Sequence, residues 1–398
     1  MQENVVIVGG GQAAAQAVTN LRSDGFEGSI TLVSDEAYHP YQRPPLSKKM
    51  LAGEVAADRL LLKPPRFYEQ NGVDVRLNTR ATAIDRENHM VVLADAPAIP
   101  FGKLLLATGS RPRPIPVSGA DLPGIFYLRS LADVSALRPE LSAGSKLVIV
   151  GGGYIGLEVA AIARSLGVEV HLVEAASRLL ARVASPAISD FYLETHRARG
   201  VEIALDMAVH GFWGTGRVEG VQLGDERTVP ADLVLVCIGA IPNSELAQEA
   251  GLTVEGGILV DDHARTSDPD IYAVGDCAAH RSPIYGSVIR LESVHNAIEQ
   301  AKAASAGMTG KHRPYHTTPW FWSDQYEFKL QSAGLLIGAE RSEVIGSLAS
   351  GSFSVRHFIG DALRAVECVN DPATFMTSRA ALNEALVCTG ATAPTFTE

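Results

Sequence analysis

Two glycine-rich stretches carry the clearest chemistry in the chain. NVVIVGGGQAAAQAV starts at Asn4 and KLVIVGGGYIGLEVA starts at Lys146. In each, a β-branched apolar run meets three glycines and then a helix-forming run, which predicts strand, tight turn and helix. Such a turn lets the backbone approach a pyrophosphate lying on the helix N-terminus, where free N–H groups and the helix dipole favour an anion. Gly9 and Gly11 begin the first motif, with Ala13 beside them and Ala14 in the third small-residue place. Gly151, Gly153 and Gly156 complete the second. An acid near the end of the following strand suits a ribose hydroxyl. Asp35, with Glu36 next to it, fills that role in the first unit and Glu174 in the second. One such motif is weak evidence; two, each with its terminal acid, point to two dinucleotide sites. Glu174 also discriminates, because a carboxylate accepts from the 2′-OH of NAD and repels a 2′-phosphate. Ala175 and Ala176 supply no arginine in its place, although Arg178 and Arg182 follow, and Arg182 joins the cofactor-binding set.

A third stretch is rarer. HPYQRPPLSKK, residues 39–49, holds two prolines between an arginine and a Ser-Lys-Lys run. Pro44 and Pro45 fix φ twice and suit entry to a short helix, and Arg43 before them is pushed to extended geometry. Ser47 and Lys48 are therefore held rather than free. Three further segments mark unit edges. LLLATGSRPRPIP runs from a strand into a Gly/Pro crossover at Thr108 and Gly109, LVLVCIGAIPN does the same at Gly239, and IYAVGDCAA places a strand before Gly275-Asp276 and a helix.

These units must sit in a chain of 398 residues, long enough for two or three domains. The apolar share of 46% and charged share of 20% are those of a globular protein, and no apolar run reaches the ~18 residues of a membrane span. A formal charge of −11 argues against general nucleic-acid binding. No signal peptide is legible, so a cytoplasmic location is expected. The cysteines Cys237, Cys277, Cys368 and Cys388 form no CxxC, and the histidines are taken to form neither HxxxH nor HExxH, so no metal is expected. The tail TGATAPTFTE is expected to be poorly ordered.

Taken in order, both glycine motifs, YQRPPLSK, ATGSRP, IYAVGDCA and PWFWSDQ make the chain resemble the FAD-containing, NADH-dependent ferredoxin reductases that feed bacterial oxygenases. The resemblance covers nearly the whole chain. It implies an α/β fold of two Rossmann-like domains plus a C-terminal α+β domain, on the plan of glutathione reductase. The FAD domain would comprise 1–112 and 241–315, the NAD domain 113–240 and the C-terminal domain 316–398. Gly9, Gly11, Ala13 and Asp35 would hold FAD, with Arg43 and Lys48 facing it, Arg129 and Asp276 at its linker and pyrophosphate, Ala81 near its adenine end and Val294 near its ring. NADH would lie on Gly153, Ile155, Gly156, Glu174 and Gly239. Glu158 would approach the nicotinamide and pair with Lys48, while Trp320 and Trp322 would cover the other face of the flavin. Phe321 is left open between that face and a domain interface.

The activity implied is hydride transfer from NADH to FAD and single-electron delivery to a [2Fe–2S] ferredoxin, plant-type or Rieske-type, serving an aromatic-ring dioxygenase or haem monooxygenase. Arg290, Lys311, His312 and Arg313 are the basic residues considered for docking it. Disulfide reductases of this fold carry CxxxxC early in the first domain, and oxygen- or peroxide-reducing relatives carry one cysteine where this chain has Tyr41 and Gln42. Both are missing here, which weighs against a thiol relay. The rival readings are a rubredoxin reductase, an NADH oxidase, and a redox sensor similar to apoptosis-inducing factor.

Overall fold

In the first glycine-rich unit, Asn4–Val8 forms a strand whose last four residues are buried, and Gln12–Ser23 forms the helix that covers it. Alanine on that helix (Ala13, Ala14, Ala15, Ala17) lets it lie close to a second helix, Val294–Met308, also alanine-rich. The computed structural model describes residues 4–389; the expected disorder of the tail falls almost wholly outside them.

Five parallel strands make the first sheet, in the order Ile271–Ala273, Lys103–Leu106, Asn4–Val8, Ser29–Val33 and Val73–Arg76. Its interior strands are apolar on both faces, as a sheet covered on both sides requires. The edge strand is contributed by a part of the chain more than 160 positions beyond its neighbour, after the entire second unit has been made. The second sheet repeats the plan: Val201–Ala204, Glu169–Val173, Lys146–Val150, Leu233–Val236 and Ile125–Phe126, again all parallel. Each unit carries a small antiparallel sheet, built from 81–85, 90–93 and 99–100 in the first and from 209–213, 220–223 and 228–230 in the second. The two chain crossings between units run side by side, Ser110–Pro112 paired antiparallel with Ala240–Pro242.

A third layer is antiparallel. Trp320–Gln325, Phe328–Gly334, Ala362–Val369, Ser352–Ile359 and Arg341–Ser347 are neighbours in that order, and the helix Pro372–Thr389 follows. The fold class expected is the fold observed: two dinucleotide-binding α/β units and a C-terminal α+β sheet. One local expectation fails. Gly275-Asp276 opens no helix but a single turn, Gly275–Cys277, followed by the strand Ala278–Ser282. That strand pairs with Ile258–Val260 and Ser287–Arg290, so long-range pairing overrides the local helix-start pattern.

Candidate active site

The two glycine turns open on one cleft of about 2690 Å³. That volume exceeds a single drug-sized pocket several-fold, and the cleft runs past Gly9–Ala13, the proline turn, Gly151–Ile155 and the tryptophans.

Each helix meets the cleft with an uncapped N-terminus. Gly11 and Gly153 stand at the cap positions, no side chain caps either helix, and a Cβ added at either glycine would meet nothing within 4 Å. Free N–H groups therefore face open space, which is what a pyrophosphate needs. Gly9 answers a different demand. Its φ is +131°, and a Cβ there would lie 2.1 Å from the Ala107 carbonyl oxygen. Two predicted cofactor residues do not face the cleft. Ala14 is fully buried against the neighbouring helix, and a Cβ at Gly156 would strike the Gly151 carbonyl at 2.2 Å, so both positions serve close helix–strand packing.

The acids sit differently in the two units. Glu174 follows its strand directly, and its carboxylate accepts from the N–H groups of Gly152 at 2.6 Å and Ala176 at 2.8 Å. At the matching register of the first unit stands Ser34, whose hydroxyl occupies the space a Cβ on Gly10 would enter. Asp35 is one residue on, exposed and on the cleft wall. Glu36 also lines the cleft, but its carboxylate is held by the Tyr41 hydroxyl and the Arg43 guanidinium. Arg43 donates in addition to the Arg129 carbonyl at 2.8 Å. Arg129 in turn pairs with Asp276 at 2.8 Å, and Ser110 donates to the same carboxylate oxygen. These residues brace one another beneath the first glycine turn.

Of the two later arginines, Arg178 turns inward onto the Ala181 and Ala184 carbonyls and Ser189. Arg182 is exposed, and its guanidinium lies 3.2 Å from where a Cβ on Gly239 would be. Ala81, Thr108, Gly109, Val294 and Ile155 all line the cleft.

The stiff segment delivers Lys48, although Arg43 before the prolines is helical (φ −81°, ψ −33°) and not extended as expected. Pro44–Ser47 forms one turn of 3-10 helix, and Leu46 and Leu51 share a core with Leu157 and Leu330. Lys48 Nζ lies 2.6 Å from Glu158 Oε2, with the two side chains 15% and 4% exposed. Ser47 Oγ donates to the same oxygen and Ser323 Oγ donates to Oε1 at 2.7 Å. Burial pushes the Glu158 pKa up; Lys48 and the two hydroxyls pull it back toward the ionised form.

Trp320 and Trp322 face the cleft with ring centroids 5.4 Å apart, and Arg379 lies over Trp320. Phe321 stacks on Tyr154 of the second-unit helix at 4.5 Å, an interface contact at the cleft wall. Three of the four basic residues considered for docking are engaged within the chain: Arg290 with Glu292, Lys311 with Asp24, and His312 with His263. Contrary to the expectation of no HxxxH, His312 and His316 have that spacing, and Asp261, Asp262 and His263 bring ligand atoms within 4.8 Å of one another. There Asp261 accepts from the His263 and Arg265 backbone, as a turn-closing acid does.

Comparison with known proteins spans both dinucleotide units and the C-terminal sheet. Residues 3–301 match the model of the pyridine nucleotide-disulphide oxidoreductases, and residues 320–393 match that of a reductase C-terminal domain. The chain belongs to the pyridine nucleotide-disulphide oxidoreductase family. It is 45% identical over 390 residues to putidaredoxin reductase of Pseudomonas putida, covering 96% of this chain and 92% of that one. To rhodocoxin reductase of Rhodococcus erythropolis it is 44% identical over 377 residues, 94% of this chain and 88% of the relative. The reductase in the covalent putidaredoxin reductase–putidaredoxin complex superposes with a TM-score of 0.93 at 44% identity, covering 96% and 93% of the two chains.

The family uses FAD and NAD(P)H, and the chain is an oxidoreductase of that kind. Its two uncapped helix N-termini fit one dinucleotide each. In contrast to the family's disulphide members, thiol chemistry has no support here. Among the described residues, Cys277 and Cys368 are buried, and burial beside Glu158 pushes the Cys237 thiol up to about 12.

Proposed function

We propose that this protein is an NADH-dependent reductase of a [2Fe–2S] ferredoxin, plant-type or Rieske-type, in a cytoplasmic electron chain that serves a bacterial oxygenase. The observation that carries the reading is the single cleft joining two uncapped helix N-termini, with the Lys48–Glu158 pair between them. FAD, when bound, supplies the conversion of a two-electron hydride into single electrons.

The first unit would hold FAD through the helix start at Gly11, with Asp35 at its ribose and the Arg43–Arg129–Asp276 brace beneath. The second would hold NADH through the helix start at Gly153 and the Glu174 carboxylate. Lys48 keeps a positive charge at the cleft, and Glu158 holds its ammonium in place. Trp320, Phe321 and Trp322 line the cleft from the C-terminal sheet and would shield bound cofactors from water. Putidaredoxin reductase and rhodocoxin reductase, at 45% and 44% identity, support a small redox protein as acceptor.

Stopped-flow mixing tests this. NADH should bleach the yellow protein quickly and NADPH slowly, and a [2Fe–2S] ferredoxin should reoxidise it faster than a rubredoxin does. Glu174→Gln should raise the NADPH-to-NADH ratio of kcat/KM at least about tenfold, because a repelling charge is removed. Fast reoxidation by rubredoxin alone would point to the rubredoxin reductase reading. A long-lived complex with NAD that no carrier discharges would favour the sensor.

A further inference from the structure

In its ionised form the Glu158 carboxylate can only accept hydrogen bonds, and that fixes the direction of a longer arrangement. Ser323 must spend its one proton on Glu158 Oε1, 2.7 Å away. Its oxygen then accepts from Gln325, whose Nε2 lies at 3.2 Å. The amide so oriented turns Oε1 toward His196 Nε2 at 2.9 Å, and that nitrogen must carry the ring hydrogen. Burial lowers the His196 pKa to about 4, so the ring is neutral and Nδ1 is free to accept from the Tyr326 hydroxyl at 3.3 Å. Every donor points one way, from Tyr326 to Glu158. Ser323, Gln325 and His196 are all 0% exposed, and in such an interior successive hydrogen bonds polarise one another.

We propose that Ser323, Gln325 and His196 are positioning residues. They form a one-way hydrogen-bonded string, running from the helix Pro186–Ala198 through the C-terminal sheet, that keeps Glu158 ionised as the partner that holds the Lys48 ammonium at the cleft. The role in turnover rests on the reading of the cleft given above; the string itself does not. It has one alternative arrangement. A protonated Glu158 donates to Ser323, Ser323 donates to the amide oxygen of a turned-over Gln325, and the ring hydrogen of His196 moves to Nδ1. The His196 tautomer is thus a distant reporter of the charge on Glu158.

Few other groups compete for that control. Among the described residues, Glu158 is faced by Lys48 from the proline turn, Tyr154 from its own helix, Tyr192 from the helix Pro186–Ala198, and Cys237 beyond the strand Leu233–Val236. Burial raises both phenols and the thiol, so all three are neutral near neutral pH and Lys48 is the one cation. Helix Pro186–Ala198 thus adds only neutral partners.

The test uses the flavin-loaded full chain with 15N-labelled histidine. His196 is expected as the Nε2–H tautomer near neutral pH. Ser323→Ala should move the acid limb of NADH-driven bleaching up by about one pH unit, since a hydrogen bond to the ionised form is lost. It should also mix the His196 tautomers, and Ser323→Thr should restore both readouts. Gln325→Met is the second break in the string, should Ser323→Ala fold poorly. A wild-type His196 with its hydrogen on Nδ1 would overturn the proposal. So would an acid limb unmoved in both broken variants despite lower thermal stability, the mark of a purely structural role. Failure of NADH to bleach the wild type would tell against the reading of the cleft, while the tautomer would still decide the string.

Discussion

Lys48 reaches Glu158 because two prolines remove the freedom of the residues before it and two leucines anchor the turn in a shared core. The pair is buried enough for its loss to be costly. Lys48→Met should destabilise the protein by about 3 kcal/mol near neutral pH, because the carboxylate is left charged and unpaired. The pH dependence follows from the direction of the shift. Burial holds the folded Glu158 pKa above its ordinary value of 4.5. The folded state therefore binds that proton more tightly, and its stabilising effect is full below the unfolded pKa and lost as pH rises through the folded one. Urea unfolding of the variant at about pH 5 and about pH 8 should show the larger deficit at the higher pH. An equal deficit at both would mean Glu158 is not the group left exposed. At this scale the sequence named Lys48 and Glu158 and held Ser47 on the same turn, but it did not give Ser47 or Ser323 as the hydroxyls that complete the carboxylate's shell. Ser47 and Glu158 are 111 positions apart, and a serine carries no pattern that announces such a partner.

Among elements, the strand–glycine–helix turn makes different demands on glycines two positions apart. Gly9→Ala places a Cβ 2.1 Å from a backbone oxygen at a φ of +131° and should cost at least about 3 kcal/mol. Gly11→Ala meets open space and an ordinary negative φ, so its melting temperature should move by no more than about 2 °C. The methyl would nonetheless stand where the pyrophosphate is expected, and the purified protein should lose most of its flavin. Absorbance of the purified variant and a thermal melt distinguish the two; retained flavin in Gly11→Ala would tell against that cap as the phosphate site. Both glycine turns were legible because strand, turn and helix are adjacent in sequence and each follows local rules. The strand after Asp276 was not, because its partners lie at 258–260 and 287–290 and its own pattern resembles a helix start.

For the whole molecule, the C-terminal sheet does more than cap the cleft. Glu367, 2% exposed on that sheet, accepts from the Ser185 N–H at 3.1 Å, at the start of the helix Pro186–Ala198. His357 lies 2.9 Å behind it. A carboxylate at a helix N-terminus is favourably placed, and here it ties the C-terminal layer to the second dinucleotide unit. Glu367→Ala should lower stability by about 2–4 kcal/mol, leaving His357 and the Ser185 N–H without their partner. Denaturant unfolding with an unchanged midpoint would show that the tie carries no weight.

By itself the sequence determined two dinucleotide units, their order, the acids that follow their second strands and the rigid lysine between them. All of these depend on residues close together in the chain, where periodicity, turn chemistry and φ restriction act locally. Only the tertiary structure decided that Ser34, not Asp35, stands at the register of Glu174, and that Glu36 is consumed by Tyr41 and Arg43. It alone showed that Arg182 rather than Arg178 faces the cleft, and that Glu158 is served by a string of groups from two distant segments. Those outcomes turn on which side chains become neighbours once separate layers pack, and buried polar groups must then find whatever partners the packing brings.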